Sequence, residues 1–427
     1  MGKTGSMKHF IRLDELKCEH HRLSYRFSSS LKLFNKTTCF VDYDQALHPS
    51  QSSIHTVPFA ALMAPVAWAS GADLILPELD AEFAGSLGRC KEHYKKWFAG
   101  KWSFSSELRA NLVRNASMPV RNALLFNGSI DSLTAYIRHK SERPLLFTVL
   151  GDGIPLTHTS FVALCKTMYD GFARGEGLSI SYIRTDLFSV LNQSRLGPYS
   201  KDWHGEVSSG LMLASLTAPV AHDSVKTLLL AGGSNRSGHA CGDDRTLAGE
   251  IRWSGTGVRS DNPEITRSEK VRLYLKKNPR YLSRLRVCRS QSCSINCGEC
   301  EKCLRTICEL LVNGIDPALC NFKIDASTLP DLKARFLDRF SDLIQDENVL
   351  DHWRALQEES GSKRIEGRYG AREFFGWLSD FEKIKKTRLK PFSAGYPAGQ
   401  IRLEVLASRC LKSIGAFMAP QKLTEAS

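Results

Sequence analysis

The sequence predicts an α/β protein built on a doubly wound parallel sheet. An α+β region precedes the sheet (residues 1–118) and a mainly helical region follows it (326–427). Two observations carry this reading, and a third marks a metal motif within it. Between residues 119 and 325, four short apolar runs alternate with segments of helical spacing. Glycines at 128, 151, 153, 232 and 233 follow those runs. Five cysteines, Cys288, Cys293, Cys297, Cys300 and Cys303, fall within 16 residues. Strands alternating with helices require crossover connections, and these give a parallel sheet covered on both faces. At about 150 residues per domain, 427 residues make two to three domains.

Each element has its own signal. Residues 8–44 hold β-rich pieces at 31–34 and 38–41, broken by Ser and Asn. Residues 57–70 read as a buried helix, 74–77 as a short strand and 82–98 as an amphipathic helix. The apolar runs 123–126, 145–150, 178–183 and 227–230 are the four strands of the middle region. Helical spacing marks 133–139, 159–173 and a small-residue helix at 205–219. In the last hundred residues, 332–343, 349–356 and 372–381 are helical, with a loop at 361–369. Ligands of such sheets bind at the carboxyl ends of the strands, near the switch in strand order. The glycine-bearing segments sit at those ends.

Composition bounds the function. With 42% hydrophobic and 24% charged residues, the chain is an ordinary globular protein, not collagen, coiled coil or wholesale disorder. Lys plus Arg is 58 against 45 Asp plus Glu, a net charge of +13. That excess suits polyanionic partners such as nucleotides or nucleic acid, and also a plain basic surface. The best membrane candidate, 56–72, is shorter than the roughly 20 residues a span needs and carries Pro58 and Pro65. Arg12, Asp14, Glu15 and Lys17 interrupt any apolar signal core at the start. Cysteines clustered within a few turns read as a metal site in a reducing, cytoplasmic setting.

Two segments carry chemistry. The first is Asn127-Gly128-Ser129-Ile130-Asp131-Ser132, which leads from a strand into a helix. A helix N-terminus offers unpaired N–H groups and a positive dipole end, and small residues let a phosphate approach them. Ser132 can add a hydroxyl donor, and Asp131 can orient the turn or a magnesium ion. A simple N-cap by Asp131 or Ser132 is the structural alternative. The turn lacks the Gly-Lys-Ser/Thr end of a Walker A loop. The second segment is Cys297-Gly298-Glu299-Cys300-Glu301-Lys302-Cys303, two Cys-x-x-Cys steps sharing Cys300. A tetrahedral zinc needs a fourth thiolate, which Cys288 or Cys293 can supply. An iron–sulfur cluster is the alternative.

Together these segments resemble a known family. Phe126–Leu133 resembles the Ser-Gly-Gly-x-Asp-Ser loop of the PP-loop ATP pyrophosphatases, whose fold is adenine nucleotide alpha hydrolase-like. Within that superfamily, a cysteine followed by Cys-Gly-x-Cys-x-x-Cys is similar to 7-cyano-7-deazaguanine synthase (QueC-like). The resemblance covers about residues 120–315. It implies zinc on Cys288, Cys297, Cys300 and Cys303, with Cys293 spare. It also implies ATP and Mg2+ at Asn127, Gly128, Ser129, Ile130, Asp131 and Ser132. The family adenylates a carboxylate, releases pyrophosphate and lets an amine attack the acyl-adenylate. In the synthase the acid is 7-carboxy-7-deazaguanine, the amine is ammonia, and the amide is then dehydrated to a nitrile. Asn127 and Ser129 depart from the family's Ser and Gly. The flanking regions suggest an enlarged, divergent member. Such members occur in bacterial anti-phage defence operons (the QatC branch), where the acceptor could be an amine on a partner protein.

Other residues are candidates by position. Arg267 and Lys270 precede a helix and can hold phosphate or a carboxylate; a charged helix start is the alternative. Asp243, Asp244 and Arg245, after the fourth strand, resemble the synthase's substrate loop, which reads a purine-like base. Thr185, Asp186, Trp203 and His204 follow the third strand, and Gly151 and Asp152 the second, where they can flank adenine. The rival functions are a catalytically silent nucleotide-binding subunit and a zinc-dependent nucleic-acid-binding module. The latter would use the basic run Lys383, Lys385, Lys386, Arg388 and Lys390.

Overall fold

The computed structural model describes residues 8–232, 244–261, 264–288, 294–339 and 347–380. They form two compact units. One holds the described residues up to Leu156 together with Asp170–Arg267; the other holds Thr157–Tyr169 and the described residues from Ser268 onward. The boundaries expected at 118 and 325 fall inside these units.

The first unit is built on one mostly parallel sheet. Its strands are β1 (Phe10–Glu19), β2 (Arg22–Ser29), β3 (Thr38–Tyr43), β4 (Asp73–Asp80), β5 (Leu108–Val113), β6 (Arg121–Leu125), β7 (Leu145–Leu150), β8 (Ile180–Thr185), β9 (Val225–Ala231), β10 (Arg252–Trp253) and β11 (Thr256–Asp261). They lie in the order β10-β11-β9-β6-β7-β8-β3-β2-β1-β4-β5. The segment β8-β7-β6-β9-β11 is parallel throughout. In chain order its strands run 3-2-1-4-5, the doubly wound arrangement, and the order reverses between β6 and β9. Strands of this kind are buried on both faces and read as continuous apolar runs. β7, Leu-Leu-Phe-Thr-Val-Leu, is buried at all six positions.

The N-terminal strands extend this sheet rather than forming one of their own. β1, β2 and β3 are antiparallel neighbours, and β3 pairs antiparallel with β8. Helix α1 (Val57–Ser70) is apolar all round and buried everywhere except Ser70. Helix α2 (Ala81–Trp97) starts at Asp80, whose carboxylate accepts from the Phe83 N–H at 2.8 Å. An aromatic stack joins these helices to the parallel core: Phe98 and Trp102 lie 4.1 Å apart, and Trp102 and the buried Trp203 lie 5.5 Å apart.

Helix α3 (Ile130–His139) follows β6 directly. Helix α4 (Thr159–Glu176) lies in the second unit as far as Tyr169. The helix expected over 205–219 is broken into a wide turn at Trp203–Ser208, α5 (Ser209–Ser215) and a short piece containing Pro219. Pro219 stands in the first turn of the last piece, where its missing N–H is no loss at a helix start. Residues 31–34, expected to be β-rich, give no strand; Phe34 makes an isolated bridge to Leu191.

The second unit is mainly helical. It contains α6 (Glu301–Val312), α7 (Thr328–Arg339), α8 (Glu347–Gly361) and α9 (Ala371–Leu378). No helix among the described residues is long and apolar enough to cross a membrane.

Candidate functional site

The turn after β6 stands where the strand order reverses. Phe126 is buried; its N–H donates to the Phe147 carbonyl at 2.8 Å, and its carbonyl accepts from the Thr148 hydroxyl at 2.7 Å. The chain then bends through Gly128 at φ +70°, a left-handed conformation that favours glycine. Ser129 takes φ −69° and ψ 165°, ordinary extended backbone. A side chain therefore costs nothing where the loop it resembles has its second glycine. Ser129 instead caps α3: its Oγ accepts from the Ser132 N–H at 3.2 Å. The Asn127 carboxamide oxygen accepts from the Ser129 N–H and the Ser132 hydroxyl, both at 3.1 Å. The expected cap by Asp131 or Ser132 thus falls to Ser129, with Asn127 bracing it.

Asp131 and Arg267, both singled out in the sequence, meet here. Arg267 Nη1 lies 3.3 Å from Asp131 Oδ2, with side chains 12% and 18% exposed. At that exposure the pair is shielded from most screening by salt. It places a cation beside the first turn of α3.

At the end of β7 a second pair forms. His204 Nε2 lies 3.2 Å from Asp152 Oδ1, and the imidazole stands edge-on to Phe188 with ring centres 5.5 Å apart. Gly151, just before, has φ +109°, and a Cβ there would stand 1.9 Å from the Thr185 carbonyl oxygen. Its lack of a side chain lets β7 and β8 approach closely.

Other candidates have structural partners. Thr185 donates to the Phe40 carbonyl, and Asp186 accepts from the Phe40 N–H and pairs with Lys36, so both fasten β3 to β8. Trp203 belongs to the aromatic core. Asp244 caps the helical turn Arg245–Glu250, accepting from the Thr246 and Leu247 N–H groups. Arg245 pairs with Glu264 on the surface. Lys270 belongs to the second unit and is buried. Asp243, Cys293 and the basic run from Lys383 lie outside the described residues.

In the second unit, Cys288, Cys297, Cys300 and Cys303 form a cluster that could hold a metal ion such as zinc; their sulfurs all lie within 4.8 Å of one another. Cys288 and Cys300 sulfurs are 4.0 Å apart, and those of Cys297 and Cys303 are 3.8 Å apart. Four sulfurs at about 2.3 Å from one tetrahedral ion would stand about 3.8 Å apart, so the donor set fits zinc. The N–H groups of Glu299 and Cys300 point at the Cys297 sulfur, at 3.3 and 3.2 Å. The Cys288 thiol donates to Cys297 and pushes it down to about 7. Cys300 is driven lower still by donation from Cys288, Cys297 and Cys303. Cys288 and Cys303 are pushed up by the thiols around them.

Two features were not legible in the sequence. Asn296 is buried; its Oδ1 accepts from the Val287 and Cys288 N–H groups, and its Nδ2 donates to the Leu285 and Cys320 carbonyls. It holds the segment that carries Cys288 beside the other three cysteines, as groups behind metal ligands do. One Asn in a polar loop carries no such signal. The Asp152–His204 pair joins two residues that position alone had nominated separately.

Searches against protein-family models, curated proteins and solved structures find no match to this chain.

Proposed function

We propose that this chain is an ATP-dependent enzyme resembling 7-cyano-7-deazaguanine synthase. It activates a 7-deazapurine carboxylate as an adenylate and converts it to an amide or nitrile. The observation that supports this most is the turn 127–132: it stands at the reversal of a 3-2-1-4-5 parallel sheet and opens a helix. That is where open α/β sheets bind ligands and where helix N-termini bind phosphates. A carboxylate is a poor electrophile, and ATP turns it into a mixed anhydride while pyrophosphate leaves. The N-terminus of α3, the Ser132 hydroxyl and the Arg267 guanidinium supply donors and positive charge to the leaving phosphates. Asp131 orients Arg267 and can take a magnesium ion. The four-thiol cluster, filled by zinc, has no open position and therefore organises the second unit without doing chemistry.

The test is pyrophosphate release from ATP with and without 7-carboxy-7-deazaguanine and ammonium. Release that needs the acid, and that Asp131→Ala abolishes while the circular dichroism stays native, is the expected result. ATP binding with no release at any acid concentration sinks the enzyme reading and leaves a silent nucleotide-binding subunit.

A further inference from the structure

We propose that strand β5 and the cavity beside its first residues dock an acidic, extended segment of a partner protein, which joins the sheet as its next strand. Six strands separate β5 from β6, so this surface is independent of the turn at 127–132.

The backbone is the first observation. β5 runs parallel to β4 and has no other strand beside it among the described residues. The Leu74 N–H donates to the Glu107 carbonyl at 2.9 Å, and alternate backbone groups of a strand point to opposite sides. The set facing away from β4 is left without a ladder partner among the described residues. Proteins keep free edges short or cover them. The opposite edge follows that rule, since β10 is two residues long, whereas β5 offers six.

Side chains are the second. Five large apolar side chains are exposed among the described residues, and four of them, Leu108, Leu112, Met118 and Val120, lie on β5 or just after it. Such clustering marks an interaction surface, where scattered apolar exposure would not. Leu108 also lines a cavity of about 120 Å³ with Trp68 of α1, Leu74 of β4, and Leu87, Gly88 and Lys91 of α2. That is near the roughly 150 Å³ that holds a benzene ring, so it takes one apolar side chain. Gly88 and Leu108 are exposed, which leaves the mouth open.

Charge is the third, and it selects the occupant. From Leu108 to Arg121 the chain holds Arg109, Arg114 and Arg121, all exposed, and no Asp or Glu. Arg109 is shared with Asp73 and Glu107 at 2.8 and 3.0 Å; no carboxylate within the segment balances Arg114 or Arg121. A second copy pairing edge to edge would bring two arginine-bearing edges together, and the whole chain repels itself at +13. An extended segment that alternates carboxylates with apolar residues meets both demands. Its main chain completes the ladder, one apolar side chain enters the cavity beside α2, and its carboxylates face the arginines.

The experiment uses the full chain and a fluorescent peptide of alternating Glu and Val, as long as the six residues of β5. Anisotropy should show saturable binding that weakens as salt rises. The same peptide with alternate backbone nitrogens methylated cannot complete the ladder and should not bind, nor should a peptide of alternating Lys and Val. Gly88→Leu should lower affinity about tenfold, the size of one lost apolar contact. A Cβ at Gly88 meets nothing within 4 Å, and leucine favours a helix over glycine, so this variant keeps its fold while its side chain closes the cavity mouth. Leu112→Glu should weaken binding as much, by setting a carboxylate against the peptide. No binding of the Glu-Val peptide, equal binding of the methylated or Lys-Val peptide, or unchanged affinity in both variants would overturn the site. So would displacement of the peptide by a single-stranded oligonucleotide, which would make the surface a general polyanion site. A wild-type dimer in ultracentrifugation that Leu112→Glu dissolves would give the edge to a second copy instead.

Discussion

His55 sets a measurable pH dependence for the first unit. It is fully buried in the short turn Ser52–His55, and neither ring nitrogen has a hydrogen-bond partner among the described residues. Burial, reinforced by His222 and His48 nearby, lowers its pKa from 6.5 to about 4. Unfolded chains therefore bind a proton here that the folded protein refuses. Stability must rise with pH across this window, and must be lost as pH falls from about 6.5 toward 4. A displacement of about 2.5 units corresponds to roughly 3 kcal/mol in full, of which about 2 kcal/mol is gone by pH 5. Guanidinium titrations between pH 7 and 5, followed by tryptophan fluorescence, would read it. Trp68, Trp97, Trp102, Trp203 and Trp253, five of the seven tryptophans, lie in this unit. His55→Leu removes the group, so the difference between wild type and variant isolates it from the other histidines. The pH slope of the variant should be shallower by about 2 kcal/mol over that interval; parallel curves would refute the argument.

Three further outcomes follow from the geometry. Gly151→Ala forces a side chain into φ +109° and 1.9 Å from a carbonyl oxygen, so unfolding should become easier by more than about 3 kcal/mol, and a native midpoint would show the strand ends are not so close. Ser129→Ala removes the cap of α3 and should cost about 1 kcal/mol, whereas Ser129→Gly should cost only a few tenths; thermal melts of the two variants that coincide would count against the capping role. Purified protein should carry about one zinc per chain by elemental analysis, and Cys300→Ser should lose it; iron, or zinc retained by the variant, would reassign the cluster.

The sequence carried the parallel core well, because strands buried on both faces are written as unbroken apolar runs. β7 is the clearest case. It carried the thiol cluster because Cys-x-x-Cys spacing is itself the geometry of a metal knuckle. The chain before β6 was harder to read. β1, β2 and β4 alternate or mix polar and apolar residues, since each faces solvent somewhere, and their joining to β8 through β3 is a tertiary fact with no local signature. The break in the 205–219 helix was visible in Pro219, but small residues on either side masked it. Partnerships across long separations, Asp131 with Arg267 and Asp152 with His204, are set by where strands end, and no spacing rule encodes that.

The geometry of the turn after β6 bears on the proposed phosphate site. In the family it resembles, two glycines leave the backbone open. Here Gly128 alone takes the left-handed conformation, and Ser129 sits in ordinary space. The substitution therefore changes what the turn donates, not how it bends. Asn127 and Ser132 hold it with bonds of 3.1–3.4 Å, at the long end of the hydrogen-bond range. Under the proposed function, a phosphate oxygen arriving at α3 would compete against weak internal contacts, and the Ser132 hydroxyl could rotate from Asn127 to the anion without breaking the cap. Replacing Asn127 with Ser should preserve that exchange, because a hydroxyl can brace the turn as the carboxamide does. Asn127→Leu should remove the brace and weaken the nucleotide binding proposed above, and equal binding by both variants would show that Asn127 takes no part.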